Sequence, residues 1–254
     1  MATNQPSLPW LAPGQMFPDV ALAWGNDSPA PGLLCAGGDL TPDTLRSAYV
    51  NGVFPWYSKG QPFLWWSPEP RMVLSVDSFR MHPSLKKTIR KFSETLGCEI
   101  RIDSAFETVI RACSASAREG QAGTWIVPEM VEAYVHLHNA GIAHSVETCA
   151  DGQLIGGLYC VAIGKAVFGE SMFHQATDAS KIALAALVGL CRHYQVPQID
   201  CQQNTPHLAS LGAREMPRRA FVDSVKLLAN LSGPDWTFAP VYWHELAKPK
   251  PACA

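Results

Sequence analysis

The sequence predicts an α+β protein of two unequal parts: a small, irregular first domain over residues 1–69, and a larger second domain over 70–254 with a mixed, largely antiparallel sheet. Three observations carry this. Residues 144–173 read as three strands in succession joined by two-residue turns. An apolar stretch, Ile182 to Cys191, follows them and is far too short to span a membrane. The first 69 residues are rich in Pro and Gly and weak in periodicity.

In the first part, Gly37-Gly38-Asp39-Leu40-Thr41-Pro42 is a turn feeding a short helix. Thr41 is placed to cap it, Pro42 to begin it, and Gly52 to end it. Pro68-Glu69-Pro70 marks the boundary. Beyond it, the pattern predicts a helix over 83–92, a strand over 99–103 and a helix over 106–113. Pro128 starts another helix, with Met130, Tyr134 and Leu137 on one face and Gly141 at its end. Strands follow over 144–149, 154–163 and 166–173, with turns at Asp151-Gly152 and Gly164-Lys165. Asp178 or Ser180 caps a buried helix through Tyr194. A strand over 197–203 and a helical turn over 206–211, closed by Gly212, complete the pattern.

A three-stranded meander, a buried helix and one more strand is the order of the second half of acetyltransferase-like (GNAT) folds. In such folds the strands flanking the buried helix splay apart, and a cleft opens between them. Two polar groups fall there: Gly169-Glu170-Ser171-Met172-Phe173 and Ile199-Asp200-Cys201-Gln202. On a strand, Asp200 and Gln202 share a face and Cys201 points away. A charge inside an apolar strand is costly unless paired or used, so Glu170, Asp200 and Gln202 are either functional or structural hydrogen-bond partners. Coenzyme A chemistry fits poorly. The position of the pyrophosphate loop reads Gln175-Ala176-Thr177-Asp178-Ala179-Ser180, with an acid and a Ser where glycines are needed.

Residues 54–66 hold six aromatics, Phe54, Trp56, Tyr57, Phe63, Trp65 and Trp66, in a chain only 9% aromatic. Four prolines, at 55, 62, 68 and 70, break this stretch and its flank into pieces too short for a helix. Ring by ring, core filling explains these residues as well as a binding wall does. The proline lattice favours a wall for a flat or apolar ligand. Directly afterwards come six basic residues, Arg71, Arg80, Lys86, Lys87, Arg90 and Lys91, against one acid, Asp77. The last four recur at helical spacing, as a solvated helix face or a stripe that tracks phosphates.

The chain is 47% apolar and 17% charged with net charge −2, which gives no global nucleic-acid signature. Eight scattered cysteines without a C-x-x-C pair read as reduced thiols of a cytosolic protein. The amino-terminal stretch lacks the pattern of a secretory signal. No zinc site is expected: His136 and His138 point in different directions on a helix, and His244-Glu245 lacks a second His.

Several runs together resemble the leucyl/phenylalanyl-tRNA–protein transferases of bacteria. They are Gly37-Gly38-Asp39-Leu40, Gly52-Val53-Phe54-Pro55-Trp56-Tyr57, Leu64-Trp65-Trp66-Ser67-Pro68, Gly123-Thr124-Trp125-Ile126, Val131-Glu132-Ala133-Tyr134, Gly169 to Phe173, Ile199 to Gln202, and Ser210-Leu211-Gly212-Ala213 with Pro217-Arg218-Arg219. The resemblance covers about residues 31–222. It implies transfer of Leu or Phe, and less readily Met, from an aminoacyl-tRNA to the amino-terminal Arg or Lys of proteins, which marks them for N-end-rule degradation. It implies a monomer acting in the cytoplasm, without a cofactor or metal. Trp56, Trp125 and Tyr134 would wall the aminoacyl and adenosine pocket, with Ser171 and Phe173 also at the substrate. Asp200 and Gln202 would face the attacking amine, Gln202 orienting it and Asp200 acting as proton acceptor or electrostatic support. Glu170 would bind the ammonium or the cationic acceptor side chain. The tRNA body would lie along Arg71 to Lys91.

Overall fold

The computed structural model describes residues 7–116 and 126–248. A first sheet has the order β1-β2-β4-β3, from β1 (Trp10–Leu11), β2 (Leu33–Gly37), β3 (Phe54–Pro55) and β4 (Leu64–Trp66). Its strands are short because prolines and glycines interrupt them, which is why their periodicity is faint in the sequence. Helix α1 (Pro42–Val50) lies between β2 and β3 in the chain, with the Thr41 hydroxyl accepting from the Thr44 amide and Pro42 in its first turn.

Ten more elements lead up to the last strands: β5 (Arg71–Ser75), α2 (Pro83–Glu94), β6 (Cys98–Ile102), α3 (Phe106–Ala115), α4 (Pro128–Asn139), β7 (Ala143–Ala150), β8 (Gln153–Ile163), β9 (Ala166–His174), α5 (Ala179–His193) and β10 (Gln198–Asp200). The short helix α6 (Pro206–Ser210), β11 (Arg214–Met216), α7 (Arg218–Leu228) and α8 (Val241–Glu245) follow. The second sheet has the order β11-β5-β10-β9-β8-β7-β6. Among its described pairs only β9 with β10 is parallel. A parallel pair needs a crossover, and α5 supplies it. This is the mixed, largely antiparallel sheet expected from the element order.

The β7–β8 turn is tight because Asp151 and Gly152 both adopt positive φ, 49° and 76°. Alternate residues of β8 serve two cores. Tyr159, Val161 and Ile163 join α1, α3, α4, α7 and the first sheet on one face. Leu158, Cys160 and Ala162 join α2 and α5 on the other. The start of α5 rests directly on β8: a side chain at Gly156 would come within 2.5 Å of the Ala179 Cβ. The first sheet and α1 share one apolar cluster with α3 and α4, so Tyr49 and Trp65 pack together with Phe106 and Tyr134.

Candidate active site

The last residues that pair β9 with β10 are Phe168 and Asp200. Strand β10 ends there, while β9 continues along β8 to His174. The two strands part, and a cleft of about 450 Å³ opens between them. Leu158, Met172, Leu184, Leu187 and Ile199 give it an apolar floor, and Trp56, Glu170, Ser171, Cys201, Gln202 and His207 complete its walls.

Two local distortions aim the polar side chains. Across β8 and β9, Tyr159 faces Ser171 but Cys160 faces Gly169, so Glu170 is the extra residue of a β-bulge. A bulge bends its strand and redirects one side chain out of the alternation. The second distortion lies at Gln202, whose φ is 56°, a left-handed conformation rare for a residue with a side chain. Its amide donates to Asp200 Oδ1 at 3.0 Å, and its Nε2 donates to Glu170 Oε1 at 3.2 Å. The strand expected over 197–203 therefore stops at Asp200. Asp200 and Gln202 do not share a strand face, and Cys201 lines the cleft instead of pointing away.

Behind the cleft, Asp200 is 1% exposed and Arg71 is fully buried. Arg71 Nε donates to Asp200 Oδ1 at 2.8 Å and Nη2 to Oδ2 at 2.6 Å, a bidentate pair. Nη1 donates to the Gly52 carbonyl at 3.2 Å. The guanidinium carbon lies 4.8 Å from the Phe54 ring centre and 4.6 Å from that of Phe221, so the charge is sandwiched between aromatic faces.

Glu170 is half-buried in the cleft wall. Tyr49 Oη donates to its Oε1 at 2.8 Å, and Tyr49 is in turn in short hydroxyl contact with Tyr134. Burial raises the Glu170 carboxyl to about 8 against an ordinary 4.5; the Tyr49 hydrogen bond opposes the shift and the charge of Asp200 adds to it. Burial, then the Glu170 charge, hold the Tyr49 and Tyr134 hydroxyls well above their ordinary range. His207 is held below its usual value by burial and by Lys181.

The structure brings Trp56, Glu170, Ser171 and Gln202 to one cleft. Trp56 is half-buried, its ring 5.3 Å from that of Trp66, whose Nε1 donates to the Trp56 carbonyl. Four expectations change. Arg71 leaves the surface stripe, because its charge is spent on Asp200 in the core. Asp200 is 1% exposed and has Arg71 on both oxygens, a placement that fits the support of Gln202 better than proton acceptance from the cleft. Tyr134 is fully buried behind Tyr49 and is not among the residues that line this cleft. Phe173 is 3% exposed in the core, and Met172 lines the cleft in its stead. Trp125 lies outside the described residues. Lys86, Lys87, Arg90 and Lys91 stand exposed on α2, opposite its buried Leu85, Ile89 and Phe92, and Arg80 is exposed just before it. Sequence reasoning missed Tyr49 and Phe221, whose partners are remote in the chain. It also missed the apolar floor, whose residues look like ordinary core.

The family model for leucyl/phenylalanyl-tRNA protein transferase matches residues 73–226, and that for its N-terminal domain matches residues 38–69. A leucyl/phenylalanyl-tRNA–protein transferase of Albidiferax ferrireducens is 62% identical over 250 residues, covering 98% of each chain. Proteins of the same name from a Polaromonas species and from Leptothrix cholodnii are 58% and 57% identical, covering 94% of this chain and 94% and 95% of theirs. Among solved structures, the chain is similar to a GCN5-related N-acetyltransferase-like protein of Streptococcus suis at 13% identity and a TM-score of 0.31, covering 68% of this chain and 63% of that one.

Proposed function

The chain belongs to the leucyl/phenylalanyl-tRNA protein transferase family, and from that premise we propose that it moves Leu or Phe, and less readily Met, from an aminoacyl-tRNA to the amino-terminal Arg or Lys of an acceptor protein. A peptide bond forms, and the acceptor is marked for degradation by the N-end rule in the cytoplasm. The protein works as a monomer and needs no cofactor. Among the described residues no helix is long and apolar enough to cross a membrane.

One observation carries this reading: an apolar floor and a polar wall of Glu170 and Gln202 meet in one cleft beside the Trp56 indole. The reaction is aminolysis of an ester already activated by charging of the tRNA. Leu and Phe carry a CH₂ before their branch and can thread a narrow neck onto Leu158, Met172, Leu184, Leu187 and Ile199. Val and Ile branch at once and clash. Contact alone separates side chains that differ by one methylene by only about 1–3 kcal/mol, so the clash is what gives selectivity. Trp56 offers a stacking surface for the terminal adenosine. An amide is too weak a base to take a proton, so Gln202 orients the amine. Arg71 and Asp200 hold the Gln202 backbone from behind. Positioning of this kind supplies a large part of the rate for an activated ester. The tRNA body lies along Arg80, Lys86, Lys87, Arg90 and Lys91, where phosphate contacts position the tRNA without reading its sequence.

The test is incubation with labelled Phe-tRNA and two peptides, one beginning with Arg and one with Ala. Label is expected on the first alone; label on both, or on neither, contradicts the reading.

A further inference from the structure

We propose that Glu170 is the group that takes the proton from the attacking amine and hands one to the leaving ribose oxygen, with Tyr49 as the residue that sets its readiness. This rests on the transfer reaction above and names the acid–base residue of the same site.

Geometry removes the alternatives one by one. A proton acceptor must reach the amine and hold a lone pair open to it. Asp200 fails on both counts: it is 1% exposed and its two oxygens are gripped by Arg71. Gln202 is an amide. The Cys201 thiol is pushed up to about 12 by burial and by the charge of Asp200, so it supplies no thiolate. His207 lines the cleft from the short helix α6, but no described hydrogen bond ties its ring to Glu170 or to the Gln202 side chain, so nothing holds it where the amine is oriented. Glu170 is the remaining carboxylate among the described lining residues, and the bulge in β9 aims it at the same place as the Gln202 side chain.

Charged and titratable neighbours face Glu170 from each packed element. They are Tyr49 on α1, Tyr134 on α4, Asp200 on β10 and Arg71 on β5, with the Cys160 thiol of β8 sensing its charge. Burial outweighs the rest and brings the carboxyl to about 8, close to the value of about 7.7–8.0 for a free α-amino group. Acid and base of matched strength exchange a proton with little driving force lost either way. Tyr49 donates to Oε1 and opposes the upward shift. The step balances. The neutral amine nitrogen bonds to the ester carbonyl carbon, and the bond from that carbon to the ribose oxygen breaks. The nitrogen's surplus proton passes to Glu170, and the ribose oxygen receives a proton from it, which restores the carboxylate.

The test is single-turnover transfer from Phe-tRNA to an Arg-initiated peptide across about pH 6 to about pH 9. A second acceptor carries an α-aminooxy group in place of the amine. That group stays neutral throughout, so its pH profile reports the enzyme alone. With the aminooxy acceptor, the wild-type rate should still rise through a midpoint near 8. Glu170→Gln should lose about 10²–10⁴-fold in rate with the amine acceptor, flatten the aminooxy profile and bind tRNA as tightly as before. Tyr49→Phe should move the midpoint upward while keeping the rate at high pH, a change that a merely structural hydroxyl would not produce. A Glu170→Gln enzyme within threefold of wild type, or a Tyr49→Phe profile with an unmoved midpoint, overturns the proposal and leaves the transfer function standing. A wild-type protein that transfers nothing to either acceptor sinks the function reading itself.

Discussion

Arg71 and Asp200 meet as a bidentate ion pair with no opening to solvent, although they lie 129 positions apart in the chain. The pair sits where the seven-stranded sheet is locked together, since Asp200 of β10 is in register with Val73 of β5 and with Phe168 of β9. Removing one partner strands the other charge in the core. Arg71→Met is expected to lose about 3–5 kcal/mol of stability in urea unfolding, and Arg71→Met combined with Asp200→Leu to recover most of it. Transfer should stay abolished in the double variant, because the Gln202 amide no longer has its acceptor. Equal stability of single and double variants would contradict the pairing.

Glu170 has a folded-state value near 8 against an ordinary 4.5. Below 4.5 the carboxyl is protonated in both folded and unfolded chains and has no pH-linked effect. As pH climbs from 4.5 to 8, the unfolded chain ionises first and stability is lost; above 8 the penalty is constant. Glu170→Gln should therefore be more stable than wild type at pH 8, on the order of 1–3 kcal/mol given its partial exposure, and no more stable at pH 4.5. Paired urea titrations at the two pH values check this. The same variant should transfer about 10²–10⁴-fold more slowly, a trade of stability against chemistry.

Leu187 is 1% exposed and forms part of the cleft floor. Leu187→Ala widens the slot. Phe can fill the added space and Leu cannot, so kcat/KM for Leu-tRNA should fall roughly 10-fold or more relative to Phe-tRNA. The side chain is also core, and the variant should lose about 2–5 kcal/mol of stability. Equal losses for the two donors would move Leu187 out of the selecting surface.

Replacing Lys86, Lys87, Arg90 and Lys91 with Ala should weaken Phe-tRNA binding without harming the fold, because the buried side of α2 is carried by Leu85, Ile89 and Phe92. The slope of log Kd against log salt should shrink by about 1 for each phosphate that the variant no longer neutralises. Transfer from an aminoacyl-adenosine that lacks the tRNA body should be unchanged. A salt slope equal to that of wild type would return the stripe to plain solvated helix.

What could be read from the sequence was whatever depends on neighbours. Thr41-Pro42, Pro128 and Asp151-Gly152 lie at an N-cap, a helix start and a tight turn because their effects act over one to four residues. The meander and its following helix were legible for the same reason. Arg71 shows the limit. Counted among Arg80 and the lysines it looks like surface charge, and only its partner at 200 and the rings of Phe54 and Phe221 make it core. The bulge at Glu170 and the left-handed turn at Gln202 were hidden likewise. Both break a strand alternation that the local sequence obeys, and both depend on pairing with β8, β9 and Asp200. Tyr134 had the right neighbourhood and a deeper layer, since it is fully buried and meets Tyr49 and Glu170 from behind the cleft wall.

Strand β10 slots between β9, one helix before it in the chain, and β5, far earlier. Until residues 198–200 insert, the sheet is split in two, the gap beside β9 has no second bank, and the Gln202 turn does not exist. The β5–β10 pairing is a long-range contact, the kind whose loop-closure entropy slows folding. The cleft's second bank and the Gln202 turn therefore stand or fall with the seating of one three-residue strand, since the turn hangs from Asp200 at its end.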